Sequence, residues 1–336
     1  MIEIIDGVYM GVAEPASGGG TTINNQDKTI TINGQYTADT GYTGLGTVTV
    51  NVPDGQKYGA TASSFLGDVN SSGVLQPPSA NTNLVFSGVE DIASGALRNI
   101  CYLKPNIISV SFPDLVNITG LDALNGSFYG NTNLTTISFP KLKIVNAIRA
   151  MNNTFYGNTG ISSTSFPALE EITSGCNSTF YNNSNITTVS LPELKTIGTS
   201  GAKSMFFGCA KISSLDVSKL ESIGSEGLSN AFAINSGDQN YLTSITFDKL
   251  NKFNGTYALQ NCFRFRTALQ SLSFPALKST SFGTINNCFN DMLQGITGCT
   301  VHFPSNLQSV IGNWYDVTNG FGGTNTTVLF DLPATE

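Results

Sequence analysis

Leu134-Thr135-Thr136-Ile137-Ser138-Phe139-Pro140-Lys141-Leu142 returns further along the chain as Leu269-Gln270-Ser271-Leu272-Ser273-Phe274-Pro275-Ala276-Leu277. The shared form is L-x-x-I-x-F-P-x-L, and its Phe position can be followed in both directions. The anchors are Phe86, Phe112, Phe139, Phe166, Leu191, Val217, Phe247, Phe274 and Phe303, separated by 26, 27, 27, 25, 26, 30, 27 and 29 residues. A second signal runs in phase: an aromatic 14 to 16 residues after each of the first eight anchors, at Tyr102, Phe128, Phe155, Phe180, Phe206, Phe232, Phe263 and Phe289.

In I-x-F, apolar and polar residues alternate as in a strand with one buried face, and the Pro that follows removes a ladder donor and ends the strand. Each unit is a strand, a corner and a return path, and a unit of this size cannot bury its Ile, Phe and Leu alone. The units must stack around one apolar column. The expected fold is a β-rich solenoid with a parallel sheet of about nine coils, on the order of 40 Å long, preceded by a small N-terminal β module. The expected organisation has a docking strand and glycine linker over residues 1–20, the β module over 21–55 and a connector over 56–80. The solenoid follows over 81–300, and residues 301–336 form the last repeat and a cap. Within the module, Thr29-Ile-Thr-Ile32 and Gln35-Tyr36-Thr37 flank an Asn33-Gly34 turn, which predicts a hairpin.

The sequence L-x-x-I-x-F-P-x-L-x-x-I followed by F-x-G-C, explicit at Phe206-Phe207-Gly208-Cys209, resembles the BspA-type leucine-rich repeats of bacterial surface adhesins. That resemblance implies a leucine-rich-repeat-like sheet and a binding function without chemistry. Here one residue, not two, separates the Pro from the next Leu, and the units are longer than the family's. Residues 31–53, T-I-N-G-Q-Y-T-A-D-T-G-Y-T-G-L-G-T-V-T-V-N-V-P, resemble connectors in tail and fibre proteins of bacteriophages. This second resemblance implies a virion appendage.

Composition narrows the partners. Of 336 residues, 16 are Lys or Arg and 23 Asp or Glu, giving a net charge of −7 without a basic cluster, so phosphate backbones are not the expected ligand. No apolar run approaches the ~20 residues that cross a bilayer. The opening Met1-Ile-Glu-Ile-Ile-Asp6 lacks the basic and apolar regions of an export signal, which predicts a chain left in the cytoplasm where it is made. Six cysteines without a C-x-x-C pair predict neither a disulfide framework nor a zinc site.

Residue by residue, little chemistry emerges. His302 is the one histidine and takes an outward strand position equivalent to Ser138 and Ser273, so it reads as an exposed strand residue. Glu170-Glu171, Glu193 and Glu221 follow the corners as solvated edges. Asp68-Val-Asn70-Ser-Ser72-Gly73 opens like a calcium loop but carries Ser79 where a bidentate acid is needed, and it reads as a turn. Cys101, Cys262 and Cys288 sit directly before or at the aromatic and read as thiols stacked in the column. No catalytic residue, cofactor or metal is expected.

The remaining candidate is the outward strand face: Thr136, Ser138, Ser163, Ser165, Thr188, Ser190, Ser214, Asp216, Ser244, Thr246, Ser271 and Ser273. Such a lattice of hydroxyls serves equally as sheet-packing side chains that pair with one another or as a face for a neutral ligand. The reading is a non-enzymatic bacteriophage virion protein, a tail-fibre, baseplate or capsid-surface appendage. It would contact other virion subunits through its N-terminal region and a host cell-surface glycan or protein through the solenoid, as a monomer or a homo-oligomer. The alternative is a BspA-like bacterial surface or secreted adhesin that binds host protein or matrix.

Overall fold

The computed structural model describes residues 82–335 apart from 88, 93, 96, 106, 283–286 and 312–319, and the backbone of Glu3–Ile5, Val8–Met10, Thr21–Asn24, Thr29–Asn33 and Gly46–Asn51. The glycine linker at 18–20, the acidic loop at 68–79 and the second arm of the predicted hairpin at 35–37 lie outside the described residues.

The protein is a parallel β-solenoid of about nine coils. The strands of the I-x-F segments run from Thr82–Ser87 through Ile107–Ser111, Thr136–Ser138, Ser163–Ser165, Thr188–Ser190, Ser214–Asp216, Ser244–Thr246, Ser271–Ser273 and Thr300–Pro304 to Thr327–Leu332. The middle residues of the short strands face inward, and the anchor phenylalanines are buried. Anchor rings stack on one another, Phe86 on Phe112 at 4.4 Å between centroids and Phe247 on Phe274 at 5.2 Å. A second column, Phe128–Phe155–Phe180–Phe206–Phe232–Phe263, runs beside it with spacings of 5.1 to 5.8 Å. Neighbouring coils therefore share large flat surfaces that exclude water, which sets the main cohesion of the stack.

The strand face is not one continuous sheet. Its ladder is interrupted between Thr136–Ser138 and Ser163–Ser165, and again between Ser214–Asp216 and Ser244–Thr246. At both breaks the inward residue of the preceding strand, Ile137 or Leu215, is only partly buried. A second parallel sheet is unbroken: Asn117–Ile118, Ile144–Asn146, Glu171–Ser174, Thr196–Ile197, Ser222–Gly224 and Lys252–Asn254. Each of these strands places one apolar residue, Ile118, Val145, Ile172, Ile197, Ile223 or Phe253, inside the column.

The third side of each coil is a ribbon of turns. Alternate residues donate to the next coil, as Gly126 N to Asn152 O and Phe128 N to Thr154 O, and those between close i−3 turns, as Ser127 N to Leu124 O. Such a ribbon needs a left-handed residue every fourth position, and Asp122, Gly126 and Gly130 are followed one coil later by Arg149, Asn153 and Gly157.

Beyond the first anchor the ladder carries on. Thr29–Asn33 and Gly46–Asn51 pair in parallel with each other, and the latter with Thr82–Ser87. The antiparallel partner of Thr29–Asn33 is the preceding Thr21–Asn24. At the other end Thr327–Leu332 pairs with Thr300–Pro304, and Phe330 stacks on Phe303 at 5.9 Å, adding a rung to the anchor column.

Two positions differ from the sequence reading. Tyr102 is not in the core column: Cys101 N donates to Ser127 O as Phe128 N does to Thr154 O, so Cys101 fills the aromatic slot and Tyr102 points outward. Phe263 N donates to Met292 O, which places Leu293 in that slot on the next coil, while Cys288 is the counterpart of Ala258 and not of Cys262. The extra residues of the late units shift the register. All six cysteines are buried and free.

Candidate functional site

The predicted outward residues come together as in-register rows. Ser163, Thr188 and Ser214 form one row, and Ser165, Ser190 and Asp216 another. Ser244 and Ser271 lead to Thr300, and Thr246 and Ser273 to His302. Thr136 and Ser138 continue Ser109 and Ser111. The breaks in the ladder divide the face into three patches rather than a single lattice. Thr136, Ser163, Ser165, Thr188, Ser214, Ser244 and Thr246 are exposed, while Ser138, Ser190, Asp216, Ser271 and Ser273 are half-buried. Among the twelve predicted residues no hydroxyl bonds another along its row, whereas Ser109 donates to Asn83 Oδ1 one strand earlier and Thr297 and Thr324 meet at 2.7 Å beyond the last patch. Asp216 turns to its own corner, accepting from Ser218 N at 3.1 Å and Ser218 Oγ at 2.8 Å, so its charge is drawn away from the row. The face presents nearly neutral donors and acceptors.

His302 departs from the expectation of an open strand residue. Its Nδ1 lies 2.9 Å from Asp331 Oδ2 on the adjacent strand, and the side chain is 23% exposed. The pairing partner was not legible because Asp331 lies 29 residues on, in a strand whose register against Thr300–Pro304 shifts between His302 and Pro304. Among the described residues no group of three His, Cys, Asp or Glu side chains could hold a metal. No helix there is long and apolar enough to cross a membrane.

The corner carboxylates are tied across coils. Lys219 Nζ binds Glu193 at 2.7 Å, Lys195 binds Glu170 at 3.0 Å and Lys141 binds Asp114 at 2.8 Å. The Lys195 ammonium holds the Glu170 carboxyl below the usual range. Exposed pairs of this kind add little stability.

One surface feature escaped the sequence reading. Tyr102, Tyr129, Tyr156, Tyr181 and Phe207 form a partly exposed stripe along the turn face, with centroids 4.6 to 4.8 Å apart. Partial burial together with neighbouring phenols raises the Tyr129 and Tyr181 hydroxyl pKa values. The signal was the doublet that follows the core position: Phe128-Tyr129, Phe155-Tyr156, Phe180-Tyr181 and Phe206-Phe207. Its first ring goes inward and its second outward.

A family model described as BspA type Leucine rich repeat region matches residues 96–235 in six copies. The repeat is similar to the BspA type. The BspA-type match covers the coils that carry the tyrosine stripe and the middle patch of hydroxyl rows, and it stops where the longest unit inserts extra residues. It does not reach residues 31–53, and no comparison supports their likeness to phage connectors. No curated protein is similar to the chain by sequence. Among solved structures, a leucine-rich repeat protein from Bacteroides ovatus is 13% identical with a TM-score of 0.38, covering 95% of this chain and 100% of that one. A leucine-rich repeat protein of T. pallidum is 16% identical with a TM-score of 0.35, covering 94% of this chain and 99% of that one.

Proposed function

We propose that this chain is a non-enzymatic binding module, a BspA-like bacterial adhesin displayed at or released from the cell surface. The observation that carries this reading is the six-copy BspA-type repeat over residues 96–235. The geometry supports it: rows of hydroxyls stand in register on the parallel strands of each patch. Such rows suit a neutral hydrogen-bonding partner, a protein loop or glycan, because the array carries one acid and no base.

The test is binding of the purified chain to extracellular-matrix proteins and epithelial cells. Saturable binding is expected, weakened in Ser163→Glu/Thr188→Glu/Ser214→Glu, which sets charges on exposed positions of the middle patch without touching the core. Immunogold labelling of the source cells checks location. Label on the cell surface is expected, and label on phage particles instead would restore the virion appendage.

A further inference from the structure

The 30-residue step from Val217 to Phe247 is the longest between anchors. It carries an exposed loop, residues 235–241, that the neighbouring coils lack. The loop is held in place: Asp238 Oδ2 accepts from Asn235 N at 3.1 Å, Asn240 Nδ2 donates to Thr267 Oγ1 at 3.1 Å, and Ala268 N donates to Asn240 Oδ1 at 2.9 Å. Between this loop and the following coil lies an open concavity of about 560 Å³, lined by Tyr241, Phe265, Asp238, Gln239, Asn240 and Thr267 among others. Tyr241 is 48% exposed.

Phe265 is a bulky residue in a left-handed position of the turn ribbon. Its φ is +63°, at the rung where Gly130, Gly157, Asn182 and Gly208 stand on other coils and where Leu103 is the other bulky occupant, at φ +54°. Bulky side chains are strained in this conformation, which the turn ribbon imposes at this position. The next coil makes room for the ring with a glycine: a Cβ on Gly295 would come within 2.2 Å of a Phe265 ring carbon.

We propose that this concavity binds a neutral hexose unit of a glycan. This deepens the adhesin reading and rests on it. The exposed Tyr241 ring offers apolar surface of negative potential to the C–H face of a sugar ring, beside Phe265, one face of whose ring is covered by the Arg264 guanidinium at 4.6 Å. Asp238 accepts only, whereas Gln239 and Asn240 both donate and accept, the mixture that sugar hydroxyls require. No lysine or arginine lines the concavity, the Arg264 guanidinium lying instead over the Phe265 ring; the charge within the lining is that of Asp238, which disfavours acidic sugars and phosphates.

The test is saturation-transfer NMR on the full chain with the methyl glycosides of glucose, galactose, mannose and N-acetylglucosamine, with the methyl glycoside of sialic acid as the acidic control. At least one neutral glycoside should bind, about tenfold more weakly in Tyr241→Ala and in Phe265→Asn, and the sialoside should not. Phe265→Asn installs the residue type that Asn182 uses at the same rung, so the fold tolerates it; circular dichroism verifies this. Absence of transfer to every neutral glycoside, equal binding by both variants, or equal binding of the sialoside would overturn the proposal. Adhesion without any glycoside signal would sink the sugar site and leave the adhesin standing, and glycoside binding without adhesion would do the reverse.

Discussion

Arg266 Nη2 donates to the carbonyl of Cys209 at 2.8 Å, across 57 residues of chain. On earlier coils the same rung is filled by asparagine, Asn158 Nδ2 donating to Phe128 O and Asn183 Nδ2 to Phe155 O, each at 2.9 Å, and then by Cys209, whose Sγ donates to Phe180 O at 3.1 Å. The rung that Asn235 should occupy is empty, because Asn235 is drawn into the loop by Asp238. Arg266, one coil further on, bridges the gap. Its Nε takes the local Phe232 carbonyl at 2.7 Å and its Nη1 the Ala210 carbonyl at 3.1 Å. The side chain is fully buried, and burial pushes its pKa down to about 10, which leaves it charged at neutral pH.

Arg266→Met should therefore cost about 3 kcal/mol, the penalty of leaving buried carbonyls without donors and the stack without its bridge. Arg266→Lys keeps a cation with a single nitrogen and should fall between parent and Met. Urea unfolding measures this as a lower midpoint at unchanged slope. A parent-like midpoint for the Met variant would mean that the guanidinium is not what closes the gap.

Asn158 and Asn182 separate two uses of asparagine in this chain. Asn158 is buried, accepts from Asn131 N at 2.6 Å and donates to Phe128 O, so Asn158→Ala orphans two buried groups and should cost about 2 to 3 kcal/mol. Asn182 is exposed at φ +58°, where its value is conformational, and Asn182→Gly should change stability by less than about 0.5 kcal/mol. Thermal unfolding of the two variants side by side checks the contrast, and equal melting points would refute it.

The contrast also marks what the sequence could show. The Phe139 and Phe274 anchors were legible because a buried ring at every coil forces a period that turn chemistry cannot mask. The second sheet was hidden, since strands as short as Asn117–Ile118 present one apolar residue and no alternation. Tyr102 falls on the same spacing as Phe128 and Phe155, but aromaticity alone does not tell the inner from the outer ring of a doublet, and here Cys101 takes the inner place. Arg266 carried no signal: a lone arginine in sequence gives no hint that an insertion one coil earlier has vacated the site it fills.

Arg149 and Asp122 give the fold a predictable acid limit. Arg149 Nε and Nη2 hold the Asp122 carboxylate at 2.7 and 2.8 Å and keep its pKa below the usual range. With the folded value depressed, this stabilisation is complete above the unfolded pKa of about 3.9 and disappears as pH falls through the lower folded value. Arg149→Gln should thus unfold at lower urea than the parent at pH 7, and the two midpoints should converge on acidification toward pH ~2. A gap that persists there would assign the effect to packing instead of charge.

The thiols report on how the column opens. Burial pushes the Cys176, Cys209 and Cys288 thiols up to about 12 and Cys299 up to about 11, with Cys101 and Cys262 higher still. Because the thiolate is the nucleophile, the native chain at pH 8 should leave all six thiols unreacted with Ellman's reagent, and unfolding should release all six. Each coil rests only on its neighbours, so a stack of this kind opens from its ends where the nearest-neighbour terms are weakest. The phenylalanine column is continuous through Phe180, Phe206 and Phe232, whereas near Cys288 the slot passes to Leu293. Pulsed alkylation in intermediate urea, read by mass spectrometry, should label Cys288 and Cys299 before Cys176 and Cys209. Simultaneous labelling of all four would instead show that the inter-coil contacts couple the solenoid into one cooperative unit.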